Sequence, residues 1–331
     1  MSHAADVGTP GKGPAVVVQA ARLALWPATI AVVLAVPFLV SSVYSQGIVN
    51  QVLIFIVLAT GYNIVLGYTG LVSLGHVALF AIGAYTSAIL TTRWDVPFLV
   101  AFVCAALLAA IVGAVIGFSA LRIKGHYLTL LTLAFSEAAI LMLRNLTGLT
   151  GGSEGIVGIA RPALFGYQLT DPTALYFFLA ACALLGILVA RRLDRSRFGR
   201  SFKAIRDSEI AADVSGVRIA HTKIAAFVIS AAYAGFAGSM YAHTLQFISP
   251  EFFSIGLTIT LLAMVLLGGR GTVFGPVIGA IALVVLPEKL RFVHEYYLIV
   301  FGISIWLTML FASEGVIGSI DRFVKRAEFR R

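Results

Sequence analysis

Few side chains in this chain are suited to chemistry, and their surroundings narrow what that chemistry is. Glu137 is the only acidic residue set well inside an apolar run, within "LTLLTLAFSEAAILML" (128–143). A carboxylate in such a place is costly, and it marks a solute path, a gate or a proton relay unless a neighbour satisfies it. Arg144, two turns away, and hydroxyls on an adjacent helix are the partners to expect. Thr129, Thr132 and Ser136 share one face of the same run. Ser73, His76, Phe80, Gly83 and Ser87 recur at helical spacing in the run 70–91. Such faces either pack helix on helix or line a path for a polar solute, and both uses turn them away from lipid. His76 reads first as a packed polar residue, and so does Asn63, near the end of its own run.

Polar residues concentrate differently in "AIRDSEIAADVSGVRIAHTK" (204–223), where Arg206, Asp207, Glu209, Asp213, Arg218 and Lys223 stand close together. Asp207 and Ser208 are good N-caps, Glu209 suits a helix N-terminus, and Gly216 suits the position just past a helix end. The expectation is about two turns of helix over 208–215. The preceding "RRLDRSRFGRSFKAIR" is expected to run along a membrane face.

Other chemistries lack their residues. Cys104 and Cys182 lie in apolar runs with no CxxC or Cys/His cluster, so they read as buried inert thiols without a metal or disulfide role. The glycine-rich "GGRGTVFG" and "TGGSEG" have neither the lysine nor the strand-to-helix setting of a phosphate cradle. No nucleophile with a paired base is evident, so an enzyme is not expected.

The elements that position these residues are set by hydropathy. The chain has 331 residues, 60% hydrophobic and 12% charged, whereas soluble domains carry about 25% charged residues. A helix needs roughly 20 apolar residues to cross about 30 Å of hydrocarbon. Ten runs meet or approach that length: 23–43, 47–67, 70–91, 97–120, 126–143, 172–190, 223–243, 252–268, 272–287 and 296–313. The fold class is therefore an all-α, polytopic membrane bundle of about ten spans. The runs 252–268 and 272–287 flank "LGGRGTVFGP" and are short, which leaves two crossings and a broken or re-entrant pair both open. The first run is longer than a signal-peptide core of about 7–15 residues and reads as a retained span.

Charge orients the spans. With the N-terminus in the cytoplasm, 19 of the 24 Lys and Arg residues fall inside, nine of them between Arg191 and Lys223, and 5 fall outside. That is the positive-inside pattern. It accounts for the net charge of +9 without nucleic acid, whose binding is not expected. The domain reading is a flexible cytoplasmic segment 1–22, a membrane domain 23–313 with an inside loop 191–222, and a basic cytoplasmic tail 314–331. Along 223–243, Ala231, Gly235, Gly238 and Ala242 form a small-residue ridge suited to close helix contact. A faint echo links "GYTGLVSLG" (67–75) and "GGRGTVFG" (268–275), each at the inner end of a span, as in transporters with internal repeats.

"EIAADVSG" (209–216) resembles the cytoplasmic Glu-Ala-Ala…Gly loop of ABC importer permeases, with Ile210 inserted after the glutamate. Four further blocks, "GYTGLVSLGHVALFAIGAY" (67–85), "GHYLTLLTLAFSEAAILML" (125–143), "TGLTGGSEGI" (147–156) and "LLGGRGTVFGPVIGA" (266–280), are similar to permeases of branched-chain amino acid importers. So is the wider stretch 198–243. The resemblance implies a permease subunit that forms a path with a sister permease. It also implies an extracytoplasmic solute-binding protein and two cytoplasmic ABC ATPases that hold the ATP and Mg²⁺, with no cofactor in this chain. It places the protein in the bacterial inner membrane with both termini cytoplasmic. It assigns coupling to Arg206, Glu209, Ala211, Ala212 and Gly216. The solute-path or gating candidates are Asn63, Ser73, His76, Thr129, Thr132, Ser136 and Glu137. Related permeases move urea, amides or small acids, and an ion-coupled carrier is the more distant alternative.

Overall fold

The computed structural model describes residues 42–290 except Arg122, Lys124 and Phe165, together with Gly302. The expected spans 23–43 and 296–313, apart from Ser42, Val43 and Gly302, lie outside the described residues, as do the 1–22 and 314–331 segments. Residues from Gly47 onward form one contact unit; of the preceding unit only Ser42–Gln46 are described.

The other eight apolar runs are all helical. In chain order the long helices are α1 (Val43–Asn63), α2 (His76–Arg93), α3 (Phe98–Ser119) and α4 (His126–Asn145). A one-turn α5 (Thr147–Thr150) follows, then α6 (Pro172–Arg195), α7 (Arg197–Asp207), α8 (Glu209–Val214) and α9 (Ile219–Leu245). The hairpin α10 (Ile255–Gly268) and α11 (Gly275–Leu290) ends the described part. Among the described residues, five helices are long and apolar enough to cross a membrane: Val43–Tyr68, where a π-helical turn extends α1, then α3, α4, α6 and α9. Helix α2 starts at His76 rather than at residue 70, because residues 69–75 form a bend. It is largely enclosed, with Val77–Ala81 and Gly83–Tyr85 buried. Its Tyr85, Ser87 and His76 therefore face protein instead of lipid.

The core is built where α9 runs between α2 and α3, and small residues set the spacing. A Cβ at Gly235 would stand 2.6 Å from the Ala105 carbonyl oxygen and 2.7 Å from the Ala106 Cα. Gly83 meets Gly235 across the other contact, and Gly238 lies against Phe80 and Ala84. The ridge read from the sequence is thus a packing face whose backbones touch, as membrane helices without a hydrophobic driving force require. Opposite it, α3 exposes Val100, Val103, Leu107, Ile111, Val115 and Phe118, a stripe fit for lipid.

The two ends are distinct. At one, β1 (Ile156–Val157) pairs antiparallel with β4 (Phe247–Ile248), joining the 146–171 loop to the segment after α9. A second hairpin pairs β2 (Ala163–Leu164) with β3 (Tyr167–Gln168) in the same loop. The other end carries α7, α8 and the 269–274 turn, and is called the inner end below. At about 1.5 Å per residue, α10 rises roughly 21 Å, short of the hydrocarbon core. Phe253, just before it, stacks with Phe80 at 5.4 Å and Tyr85 at 6.1 Å, part-way along α2. So α10 begins inside the bundle and runs to the inner end, while α11 runs back until Pro287 and Glu288 lie near Gln51 of α1. The pair is a hairpin whose turn lies at the inner end, with α10 shorter than a full span.

Candidate functional site

The inner loop folds into two helices, not one. Ser196 ends α6 and caps α7, its Oγ accepting from the Gly199 N–H at 3.2 Å. Helix α7 buries Gly199, Phe202 and Ile205 on one side and exposes Arg197, Phe198 and Arg200. Ser208, rather than Asp207, caps α8, accepting from the Ala211 N–H at 3.2 Å. The helix spans Glu209–Val214, slightly less than the expected 208–215. Its end is a Schellman motif: Gly216 donates to the Asp213 carbonyl at 2.9 Å and Val217 to the Ala212 carbonyl at 3.0 Å. Gly216 has φ +82°, the left-handed conformation that favours glycine.

Of the coupling candidates, three turn inward. Glu209 pairs with Lys223 at the start of α9, whose side chain is only 4% exposed. Arg206 donates from Nη1 to the Gly67 carbonyl at 3.3 Å and pairs through Nε with Asp207 at 3.1 Å. Ala212 is buried, whereas Ala211 and Gly216 are exposed. The outward face of α8 is carried by Ile210 (80% exposed) and Val214 (86% exposed), one helical turn apart, with Asp213 beside them. The sequence reading left Ile210 as a departure from a motif; here it is half of an apolar ridge. Lys203 bonds Asp194 at 2.6 Å and lies 5.7 Å from the centre of the Tyr68 ring, so α7 is also tied to the ends of α6 and α1.

The polar residues of the spans mostly hold the fold together. Asn63 bonds the α10–α11 turn at two points, donating from Nδ2 to the Thr272 carbonyl and accepting at Oδ1 from the Gly271 N–H, each at 2.9 Å. Thr132 Oγ accepts from the Leu74 N–H at 2.9 Å, and Thr129 donates to the Val72 carbonyl at 3.1 Å. Both hydroxyls thus fasten the bend before α2. Ser73 and Ser136 are buried. His76 is buried with Nε2 3.4 Å from Ser230 Oγ, and its ring lies 5.0 Å from that of Tyr62. Glu137 differs: it is exposed on α4 and, among the described residues, bonds neither Arg144 nor a neighbouring hydroxyl. Cys104 and Cys182 are free and half-buried, not fully buried as the sequence reading expected.

Sequence reading missed a second polar cluster. Ser87 Oγ lies 2.6 Å from Ser239 Oγ and 2.9 Å from His243 Nε2, and His243 Nδ1 is 2.7 Å from the Ala160 carbonyl. With Nδ1 donating to that carbonyl, Nε2 is the acceptor for Ser87. The i, i+4 spacing of Ser239 and His243 was the available signal. Lys223 and Ser230 were likewise visible only as polar residues near or in an apolar run.

The family model for the branched-chain amino acid transport system permease component matches residues 44–309. This chain belongs to that family. The permease is 36% identical over 313 residues to the high-affinity branched-chain amino acid transport system permease protein LivM of Salmonella typhimurium, covering 88% of this chain and 73% of the relative. LivM of Escherichia coli is also 36% identical, over 304 residues, covering 85% and 71%. The permease protein LivH of Salmonella typhimurium is 27% identical over 288 residues, covering 80% and 91%. No solved structure matches the permease.

Proposed function

We propose that this permease forms, with a sister permease, the membrane path of an ATP-driven importer for branched-chain amino acids. In this reading an extracytoplasmic binding protein delivers the solute, and two cytoplasmic ATPases dock on the α8 side and drive the exchange between outward- and inward-open states. The substrate reading rests on the relatives' names, which speak for leucine, isoleucine and valine rather than urea or amides. The observation that carries the mechanism is α8 itself. A short helix locked to the bundle by an ion pair and a Schellman end presents two bare apolar side chains, Ile210 and Val214, away from it. Helix-in-groove contacts use such i, i+4 anchors, and a rigidly held ridge passes on motion instead of absorbing it.

Glu137 supports placing the path along α4. The exposed stripe of α3 is wholly apolar, whereas the exposed face of α4 sets this carboxylate among Leu130, Ala134, Ala138 and Leu141. Membrane-embedded acids face a bundle interior or a watery cavity, so this face fits a path shared with the sister permease better than lipid.

The test is uptake by the complex of permeases, ATPases and binding protein reconstituted in vesicles. Labelled leucine should enter on ATP addition and labelled urea should not. Changing both Ile210→Asp and Val214→Asp should leave membrane insertion unchanged, remove most ATPase co-purification and lower uptake by about tenfold or more, since hot-spot truncations cost about 2 kcal/mol or above. Full ATPase retention in that double variant would remove α8 from the interface.

A further inference from the structure

Three segments distant in the sequence meet at the inner end. Helix α1 ends in the π-helical turn Ile64–Tyr68, followed by Gly70 at φ +74°. The α10–α11 turn reaches it through Gly271 and Thr272, whose backbone Asn63 binds at both Oδ1 and Nδ2. Arg206 of α7 closes the third side: its Nη1 donates to the Gly67 carbonyl, and its stem lies over Gly70, where an added Cβ would stand 3.0 Å from Arg206 Cγ. The joint leaves no space. A Cβ at Gly271 would come within 2.9 Å of Arg206 Nη1 and 3.0 Å of the Gly67 oxygen, and one at Gly67 would overlap Asn63 Oδ1 and the Gly271 nitrogen. The two glycine segments whose echo was noted in the sequence are therefore packed against each other.

We propose that Arg206 and Asn63 form a relay that ties α7 to the Gly269–Phe274 turn, so that displacement of the α7–α8 pair moves the α10–α11 hairpin. Arg206 is then a positioning residue for transport, and this role rests on the reading of α8 as the ATPase-docking helix. Three features make the joint able to transmit motion. First, the turn is braced internally: Thr272 Oγ donates to the Gly269 carbonyl at 2.8 Å and accepts from the Gly275 N–H at 3.0 Å. A push at Gly271 thus reaches the start of α11 instead of bending the turn. Second, among the described residues α10 and α11 pack mainly on each other, with Gly268 against Gly275 and Gly279 against Met264, which suits the hairpin to moving as one piece. Third, a π-helical turn at the end of α1 is a place where helices commonly adjust near functional sites. A side-chain amide that binds adjacent backbone donor and acceptor groups fixes orientation as well as distance. Shared displacement is therefore favoured over slip.

The experiment uses the full complex with its ATPases in inside-out vesicles, in a permease lacking Cys104 and Cys182. Arg270→Cys, at the exposed tip of the turn, reports the hairpin through its rate of thiol modification with and without a non-hydrolysable ATP analogue. The expected result is a several-fold change of that rate on nucleotide binding. Arg206→Met should bring the ratio to about one with the ATPases still bound, and Arg206→Lys, which keeps the stem and a donor, should restore part of it. A full nucleotide response in Arg206→Met, or none in the otherwise native chain with ATPases bound, overturns the relay. Loss of the ATPases from both Arg206 variants overturns it too, because it places Arg206 in the docking contact. Failure of the unaltered permease to bind the ATPases at all defeats instead the reading of α8.

Discussion

Glu209 shows how a residue's environment changes what it tests. Read from the sequence, it is an anion at a helix N-terminus facing water, so reversing its charge should disturb only a partner. In the structure its carboxylate holds the buried ammonium of Lys223. Glu209→Lys would set two ammonium groups together with one of them enclosed. Breaking a buried pair by removing one partner costs about 3–5 kcal/mol. The expected outcome is a lower unfolding temperature in detergent and a lower yield, before any effect on ATPase binding. Glu209→Gln, which keeps a hydrogen-bond acceptor, should fall between. Wild-type unfolding of Glu209→Lys would mean that the pair contributes nothing to the fold. Asn63 and Thr132 teach the same lesson in milder form, since their polar groups bind backbone from other segments.

Among the elements, α9 carries the most weight. It packs on α2 and α3 through positions where any side chain would strike backbone. Gly235→Leu would drive a side chain into the Ala105 carbonyl, the Ala106 Cα and the Ala109 Cβ. Overpacking of a close-packed core commonly costs about 1–3 kcal/mol, and more when the obstacle is backbone. The permease should then insert but fail to assemble, seen as aggregation on size exclusion and loss of uptake. Gly186, where a Cβ would meet nothing nearer than 3.4 Å, is the control: Gly186→Ala should be close to neutral. A monodisperse, active Gly235→Leu protein would refute the close contact.

For the whole molecule, the two ends make the topology testable. The strand pair Ile156–Val157 with Phe247–Ile248 and the Arg93 bond to the Gly148 carbonyl gather one set of loops; Arg206, Gly67 and Gly271 gather the other. The loops gathered in this way lie on the sides that alternating spans require. On the positive-inside rule, the charge split predicts a cytoplasmic α7–α8 end. In a permease lacking its two native cysteines, Ser153→Cys should react with an impermeant thiol reagent added to intact cells. Asp213→Cys should react only after lysis or in inside-out vesicles. Reaction of both from outside would invert or break this topology.

What the sequence determined by itself was local or additive. Apolar length marked the eight described helical runs, because membrane insertion sums over adjacent residues. Ser208 and Gly216 marked the ends of α8, because caps bond within a few positions of themselves. Small residues every three or four positions marked the face of α9. The tertiary structure decided what rests on partners far along the chain. Asn63 bonding Gly271 and Thr272 and Arg206 reaching Gly67 leave no periodic trace, because such bonds fix no spacing. The same holds for the depth of α10, set by Phe253 stacking on α2, and for the outward face of α8. Which of its side chains stay bare depends on where Lys223 stands to draw Glu209 inward.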